Sequence, residues 1–163
     1  MRALKSVNLG FTLLEMLVVV SMLSILSVVA IPYAQNGAIR AKEVELRRAL
    51  RSVRSAIDKF HYDCNQGRIS VNTIGVSRYC YPESLEVLVL GIDSGDLNGT
   101  KIRYLRKIPR DPFLSSDVDI DDNWHFRGYQ DDVDSSFWNG EDVYDISVTH
   151  DLISLDNGVY KGW

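Results

Sequence analysis

The stretch FTLLEMLVVVSMLSILSVVAI, residues 11–31, decides the fold, and Glu15 is its only ionisable side chain. As an α-helix with a rise of about 1.5 Å per residue it would be roughly 30 Å long, enough to cross the hydrocarbon core of a bilayer. A short leader, MRALKSVNLG, precedes it and carries Arg2 and Lys5. Positive charge at that end predicts a cytoplasmic N-terminus, with the rest of the chain on the far side of the membrane.

Two simpler interpretations of this stretch fit less well. A secretory signal peptide has an apolar core of about 7–15 residues and a small-residue cleavage site, whereas here the apolar run is longer and Pro32 follows it directly. An ordinary single-pass anchor fits the length but leaves Glu15 unexplained. A carboxylate in hydrocarbon costs about 2.5–3.5 kcal/mol, and the span holds no Lys or Arg to neutralise it. The acid therefore predicts a partner or a function.

The sequence GFTLLE, residues 10–15, resembles the processing site of type IV prepilins and type II secretion pseudopilins. In that family a short basic leader ends in Gly and is followed by Phe and an apolar helix. The resemblance implies that a membrane-embedded prepilin peptidase cuts between Gly10 and Phe11 and N-methylates the new Phe11 amine. It also implies that this amine pairs with Glu15 of an adjacent subunit in a filament. Because such a pair offsets the cost of a buried acid only in the correct register, we interpret Glu15 as an assembly residue.

Helical periodicity resumes after the span, beyond Pro32 and Gly37, which predict a kink or local melting. The apolar stripe consists of Ile39, Leu46, Leu50, Val53, Ile57 and Phe60. This spacing predicts an amphipathic continuation of the membrane helix from Tyr33 to about Tyr62. The arginines that flank the stripe are either a solvated helix face or a surface that meets the acidic face of a neighbouring subunit. They are Arg47, Arg48, Arg51 and Arg54.

The remainder of the chain predicts an α+β fold, and the resemblance implies that it is of the type IV pilin kind. LEVLVLG, residues 85–91, comes just after Pro82 and Glu83 and ends in Gly91, and this pattern predicts a short helix. WHFRGY and EDVYDISV alternate as strands of a small antiparallel sheet on which the long helix packs. We therefore divide the chain into a leader (1–10), a membrane and polymerisation helix (11–32) and a periplasmic domain (33–163).

Charge is unevenly distributed along the chain. Residues 33–68 contain eight Lys/Arg and four Asp/Glu, whereas residues 111–163 contain two Lys/Arg and 13 Asp/Glu. This asymmetry, with a net charge of −4, disfavours nucleic acid as a partner. The sequence also contains no phosphate-binding, serine-hydrolase or zinc-protease motif, which argues against an enzyme.

Two cysteines, Cys64 and Cys80, are 16 positions apart. In the oxidising compartment that the membrane topology predicts, a disulfide is favoured over two free thiols. Closing a loop of this length would stabilise the fold by about 3 kcal/mol in the chain-entropy account. The spacing is not that of a zinc site.

Later segments resemble one branch of the pseudopilins. YPESLEVLV and YLRKIPRDPF are similar to the segment of G-type major pseudopilins in which a short helix precedes a KIP-x-DP loop. That branch has a calcium-binding loop near its C-terminus, and the resemblance makes Asp151 and Asp156 the candidate ligands. No other cofactor is implied. The alternative is that these acids lie at the surface and stabilise turns, as Asp156-Asn157-Gly158 readily would.

The resemblance implies a structural subunit of a periplasmic pseudopilus that drives protein export through an outer-membrane secretin. Its implied partners are copies of itself, other pseudopilins, the prepilin peptidase, an inner-membrane assembly platform and membrane lipid. The alternative is a type IV pilin of a surface fibre for adhesion, motility or DNA uptake. A further alternative is a membrane-anchored binding domain that does not polymerise.

Overall fold

The computed structural model describes residues 10–94, 99–115, 117–119, 121–133, 135 and 137–163, so the predicted leader lies outside it except for Gly10. The helices are α1 (Leu13–Asn65) and α2 (Leu85–Leu90). The strands are β1 (Ile92–Asp93), β2 (Lys101–Ile102), β3 (Trp124–Arg127) and β4 (Asp145–Val148). β1 pairs with β2 and β3 with β4, both antiparallel. The α+β prediction, a long N-terminal helix with small antiparallel sheets, is confirmed.

Helix α1 begins with a side-chain cap and continues without interruption. The hydroxyl oxygen of Thr12 accepts the backbone N–H of Glu15 at 3.2 Å, which satisfies one of the unpaired amides of the first turn. The helix then continues through Pro32 and Gly37 and ends at Asn65, three residues beyond the predicted end. The prediction that the helix melts locally at Pro32 is therefore wrong. A proline removes one hydrogen bond of the helix, and the uninterrupted helix on both sides holds this turn in place.

The chain divides into two compact units, Met1–Ile39 and Arg40–Trp163, which are described separately. In the first unit, the described apolar side chains of residues 11–31 are exposed. The hydroxyls of Ser21, Ser24 and Ser27 donate to carbonyls four residues earlier, each at 2.8 Å. Such bonds satisfy polar groups without water, as a lipid environment requires. Within the described residues α1 is the one helix long and apolar enough to cross a membrane.

The hydrophobic core lies in the second unit, along the amphipathic part of α1. Every stripe residue from Leu46 to Phe60 is buried, which confirms the predicted periodicity, while Ile39 is half-buried. The residues that pack with this stripe come from later in the chain and include Leu88, Trp124, Val143, Ile146, Val148 and Tyr160. Each fully buried side chain of this size stabilises the fold by about 1.5–3 kcal/mol.

Both predicted strands form, as β3 and β4, with Trp124 opposite Val148 and Phe126 opposite Ile146. The β1–β2 pair was not predicted, because two residues per strand are too few to show an alternating pattern. The predicted short helix is α2, and Gly91 terminates it with φ 84°. A Cβ at Gly91 would lie 3.0 Å from the carbonyl oxygen of Ile102, so the turn into β1 requires glycine here.

Candidate processing and assembly site

The predicted cleavage point lies just before α1. Gly10 and Phe11 precede the helix, and both are exposed. A Cβ placed on Gly10 would meet no other atom within 4 Å. An exposed, non-helical peptide bond is a suitable substrate for a protease. The geometry is therefore compatible with a cut between Gly10 and Phe11.

Glu15 is the third residue of α1, and its side chain is exposed in the subunit. Sequence reasoning missed that the first turn of a helix favours a carboxylate, because the unpaired amides there carry partial positive charge. That interaction stabilises by about 0.3–1 kcal/mol. Placing the acid in hydrocarbon costs more, about 2.5–3.5 kcal/mol. The helix terminus thus offsets only part of that cost, and a positive partner for Glu15 stays a prediction.

Residues 5–31 match the family described as the prokaryotic N-terminal methylation motif. The chain has a prepilin-type N-terminus. Such a motif implies processing by a prepilin peptidase and assembly into pilin-type filaments, and the α+β fold is consistent with the type IV pilin-like class. The match ends at Ile31, so it does not separate pseudopilins from type IV pilins. Neither a curated protein nor a solved structure matches the chain.

Cys64 and Cys80 are joined by a disulfide, with their Cα atoms 5.6 Å apart. Both cysteines are buried. The bond connects the last turn of α1 to the segment that leads into α2. Beside it, the rings of His61 and Tyr81 stack with their centroids 4.2 Å apart.

A buried acid that sequence reasoning missed fixes the C-terminal segment to α1. Glu43 is only 2 % exposed. Its Oε1 accepts the backbone N–H of Leu155 at 2.8 Å and the hydroxyl of Tyr160 at 3.0 Å. A buried charged residue requires such partners. The sequence does contain a signal for this buried position. Glu43 lies four residues after Ile39 and three before Leu46, which is the spacing of the apolar stripe.

Two of the four flanking arginines bind the C-terminal region of the same subunit. Arg54 donates to Asp145 at 2.7 Å and to the carbonyl of Ile146 at 2.9 Å, and a third bond reaches the main-chain oxygen of Trp163. The guanidinium of Arg47 lies 4.0 Å from the ring centroid of Trp163. Neither predicted role, a solvated face or a neighbouring subunit, describes Arg54, because its partners come from its own chain.

The calcium candidates are both at the surface. Asp151 and Asp156 are exposed, and Asp156 lies 4.0 Å from the guanidinium of Arg47. Among the residues that the structure describes, no group of three or more His, Cys, Asp or Glu side chains could hold a metal ion. Calcium sites also use backbone carbonyls. Calcium binding at Asp151 and Asp156 stays a prediction from the resemblance.

A different acid lies close to His150. The Nε2 atom of His150 is 3.0 Å from the carboxylate of Asp111, whose other oxygen accepts the N–H of Phe113 at 2.8 Å. Nearby, the indole N–H of Trp124 donates to the carbonyl of Pro109 at 3.0 Å. These bonds attach the KIP-x-DP loop to β3 and to the C-terminal segment, which gives the loop a structural role.

The buried tyrosines predict that the fold weakens at alkaline pH. Burial, and then the hydrogen bond to Glu43, raises the pKa of Tyr160 to about 12. Burial likewise raises the pKa of Tyr81 to about 12. In the unfolded chain these groups ionise near pH 10. The unfolded state therefore binds fewer protons than the folded state between about pH 10 and 12, so stability is full below this range and falls through it.

This pH dependence is measurable as the urea midpoint of the full chain in detergent at several pH values between 9 and 12. Tyr160→Phe should make the decline shallower, because it removes one of the groups responsible. Tyr62→Phe, at an exposed tyrosine of α1, is the matched control and should leave the slope unchanged. Equal slopes for the wild type and Tyr160→Phe would contradict the assignment.

Proposed function

We propose that the chain is a structural subunit of a periplasmic pseudopilus that drives protein export through an outer-membrane secretin. The supporting observation is a methylation motif at residues 5–31 that leads into a helix with exposed apolar side chains. Such a helix needs lipid around it before assembly, and it packs against helices of neighbouring subunits afterwards. The role is mechanical, and no catalytic step is assigned to any residue of the chain.

Assembly begins with the loss of the leader. Cleavage after Gly10 creates a positive amine at Phe11, and N-methylation leaves that charge in place. In the filament this amine pairs with Glu15 of the adjacent subunit, which neutralises the acid inside the bundle of apolar helices. The subunit waits in the inner membrane with its N-terminus in the cytoplasm, and an assembly platform with a separate ATPase adds it to the filament together with other pseudopilins.

The choice of a pseudopilus over a surface pilus rests on the segment from α2 to Phe113. It resembles the G-type branch in sequence, with a short helix followed by KIPRDPF. A deletion strain separates the two functions. A pseudopilin deletion should remove exported proteins from the medium while leaving surface fibres unchanged. Loss of surface fibres with normal export would instead assign a type IV pilin.

The mass of the mature N-terminus tests processing directly. We expect the protein isolated from cells to begin at Phe11 and to carry one methyl group on its amine. The Gly10→Val variant should keep its leader. Because a side chain at Gly10 meets no atom of the fold, loss of cleavage in this variant would report recognition by the peptidase and not misfolding. A mature protein that begins at Met1, or beyond Ile31, would refute the proposal.

A further inference from the structure

An open groove of about 1200 Å³ lies in the second unit. One wall is α1 between Ala41 and Ser52, and the other is formed by α2 and the KIP-x-DP loop. The apolar lining residues are Ala41, Val44, Ala49, Val89, Leu90, Ile108, Pro109 and Pro112. Leu90 is 67 % exposed although it ends a packed helix. An apolar surface of this kind marks a site of interaction.

The rim of the groove is basic although the chain as a whole is acidic. Four Lys/Arg residues line it against two Glu residues: Lys42, Arg48, Lys107 and Arg110, with Glu45 and Glu86. The net charge of the chain is −4. A partner that combines exposed apolar side chains with negative charge would complement both the lining and the rim.

One loop of the chain itself has this combination. Residues 131–141, which we call the acidic loop, contain four Asp/Glu and no Lys/Arg. Glu141 pairs with Arg78 of the same chain at 3.1 Å, so the negative charge offered to a partner comes from the aspartates. Val133 and Phe137 are 81 % and 74 % exposed. The backbone N–H of Phe137 donates to the hydroxyl of Ser135, which in turn donates to the Phe137 carbonyl at 2.8 Å. These two bonds link Phe137 to Ser135, while the Phe137 side chain stays exposed.

Another exposed apolar loop fits the groove less well. Ile74 is almost fully exposed, and Val71 lies close to it in sequence. The charged residues that flank this loop are Arg68 and Arg78. Both arginines already pair with acids of the same chain, and residues 69–77 contain no Asp or Glu that could face the basic rim. Charge thus selects the acidic loop.

We propose that the acidic loop of one subunit docks in the groove of the next, with Val133 and Phe137 against the apolar lining and Asp132 facing Arg48. This inference rests on the proposed function, since it assumes that copies of the chain assemble. The contact joins two different surfaces, so each subunit keeps one free groove and one free loop. Contacts of this type repeat head to tail, and they generate an open helical assembly when the rotation between subunits does not close a ring.

Cysteine cross-linking of the full chain in its own cells tests the contact. The variant with both Leu90→Cys and Phe137→Cys should give a ladder of covalent dimers, trimers and larger species. Neither single variant should form a cross-link at this contact, because its one new cysteine faces a native side chain without a thiol. The native cysteines do not interfere, since Cys64 and Cys80 are bonded to each other.

Charge reversal provides a second test that does not depend on a new thiol. Arg48→Glu should lower the sedimentable filament about tenfold, and adding Asp132→Arg in the same chain should restore most of it, because the pair is re-formed with opposite signs. Arg51→Glu, on the same helix but outside the groove, is the matched control and should have little effect.

The outcomes distinguish this inference from the proposed function. Normal filaments without a ladder in the double variant, or without rescue of Arg48→Glu, would overturn the docking contact and leave the proposed function standing. Absence of filaments in the wild type would defeat both. A cross-link from Leu90→Cys to a different protein would assign the groove to that partner and overturn docking by a second copy.

Discussion

Replacing Glu15 with alanine is expected to leave cleavage and membrane insertion intact and to lower the amount of assembled filament at least about tenfold. The variant removes an acid from an apolar helix, so insertion becomes easier. Assembly becomes worse because the Phe11 amine of a neighbouring subunit loses its partner and is left buried and charged. Since about 1.4 kcal/mol corresponds to a factor of ten in an equilibrium constant, even a partly effective pair suffices for this loss.

Two further variants separate loss of the charge from general damage to the helix. Glu15→Gln keeps the shape of the side chain and should assemble as poorly as Glu15→Ala. Ser24→Ala removes a polar group from the same span, but that hydroxyl already bonds to Val20 in its own helix, so assembly should be normal. Normal filaments from Glu15→Ala, with the mature N-terminus verified by mass, would contradict the role given to Glu15.

The elements of the fold that sequence could predict are those with a local pattern. The apolar run after Phe11 specifies a helix by its composition. The spacing from Leu46 to Phe60 specifies a helix and also the face of that helix that is buried. The β3 and β4 strands alternate over enough residues to be recognised. The methylation motif was equally accessible, because it is contiguous in sequence and its function depends on a linear substrate.

The features that sequence could not predict are pairs between distant parts of the chain. The spacing of Glu43 is compatible with a buried position, but it gives no indication of partners that lie 112 and 117 positions away. Periodicity likewise put Arg54 at the flank of the stripe without indicating Asp145 or Trp163. The ligands of a calcium site are equally hard to predict from sequence, because backbone carbonyls that folding brings together leave no signature in it.

Glu43→Ala is expected to destabilise the fold by about 3 kcal/mol. The substitution leaves the N–H of Leu155 and the hydroxyl of Tyr160 without their acceptor, and each buried unsatisfied donor costs about 1–3 kcal/mol. The measurement is urea unfolding of the full chain in detergent, followed by tryptophan fluorescence. All three tryptophans lie in the second unit, and Trp163 packs edge-on against Tyr160 at 4.7 Å between ring centroids.

Substitutions at the same helix turn identify the mechanism of that loss. Glu43→Gln keeps a carbonyl oxygen where Oε1 stands, so both donors retain an acceptor, and the cost should be about 1 kcal/mol or less. Glu45→Ala removes an exposed carboxylate two residues away and should change stability by less than about 0.5 kcal/mol. Equally small losses of stability in Glu43→Ala and Glu45→Ala would show that α1 tolerates loss of either acid. The buried hydrogen bonds of Glu43 would then not be what holds the C-terminal segment. A large effect confined to Glu43→Ala, accompanied by faster proteolysis near Leu155, would show that this acid is kept in an apolar stripe because it fixes that segment to the helix.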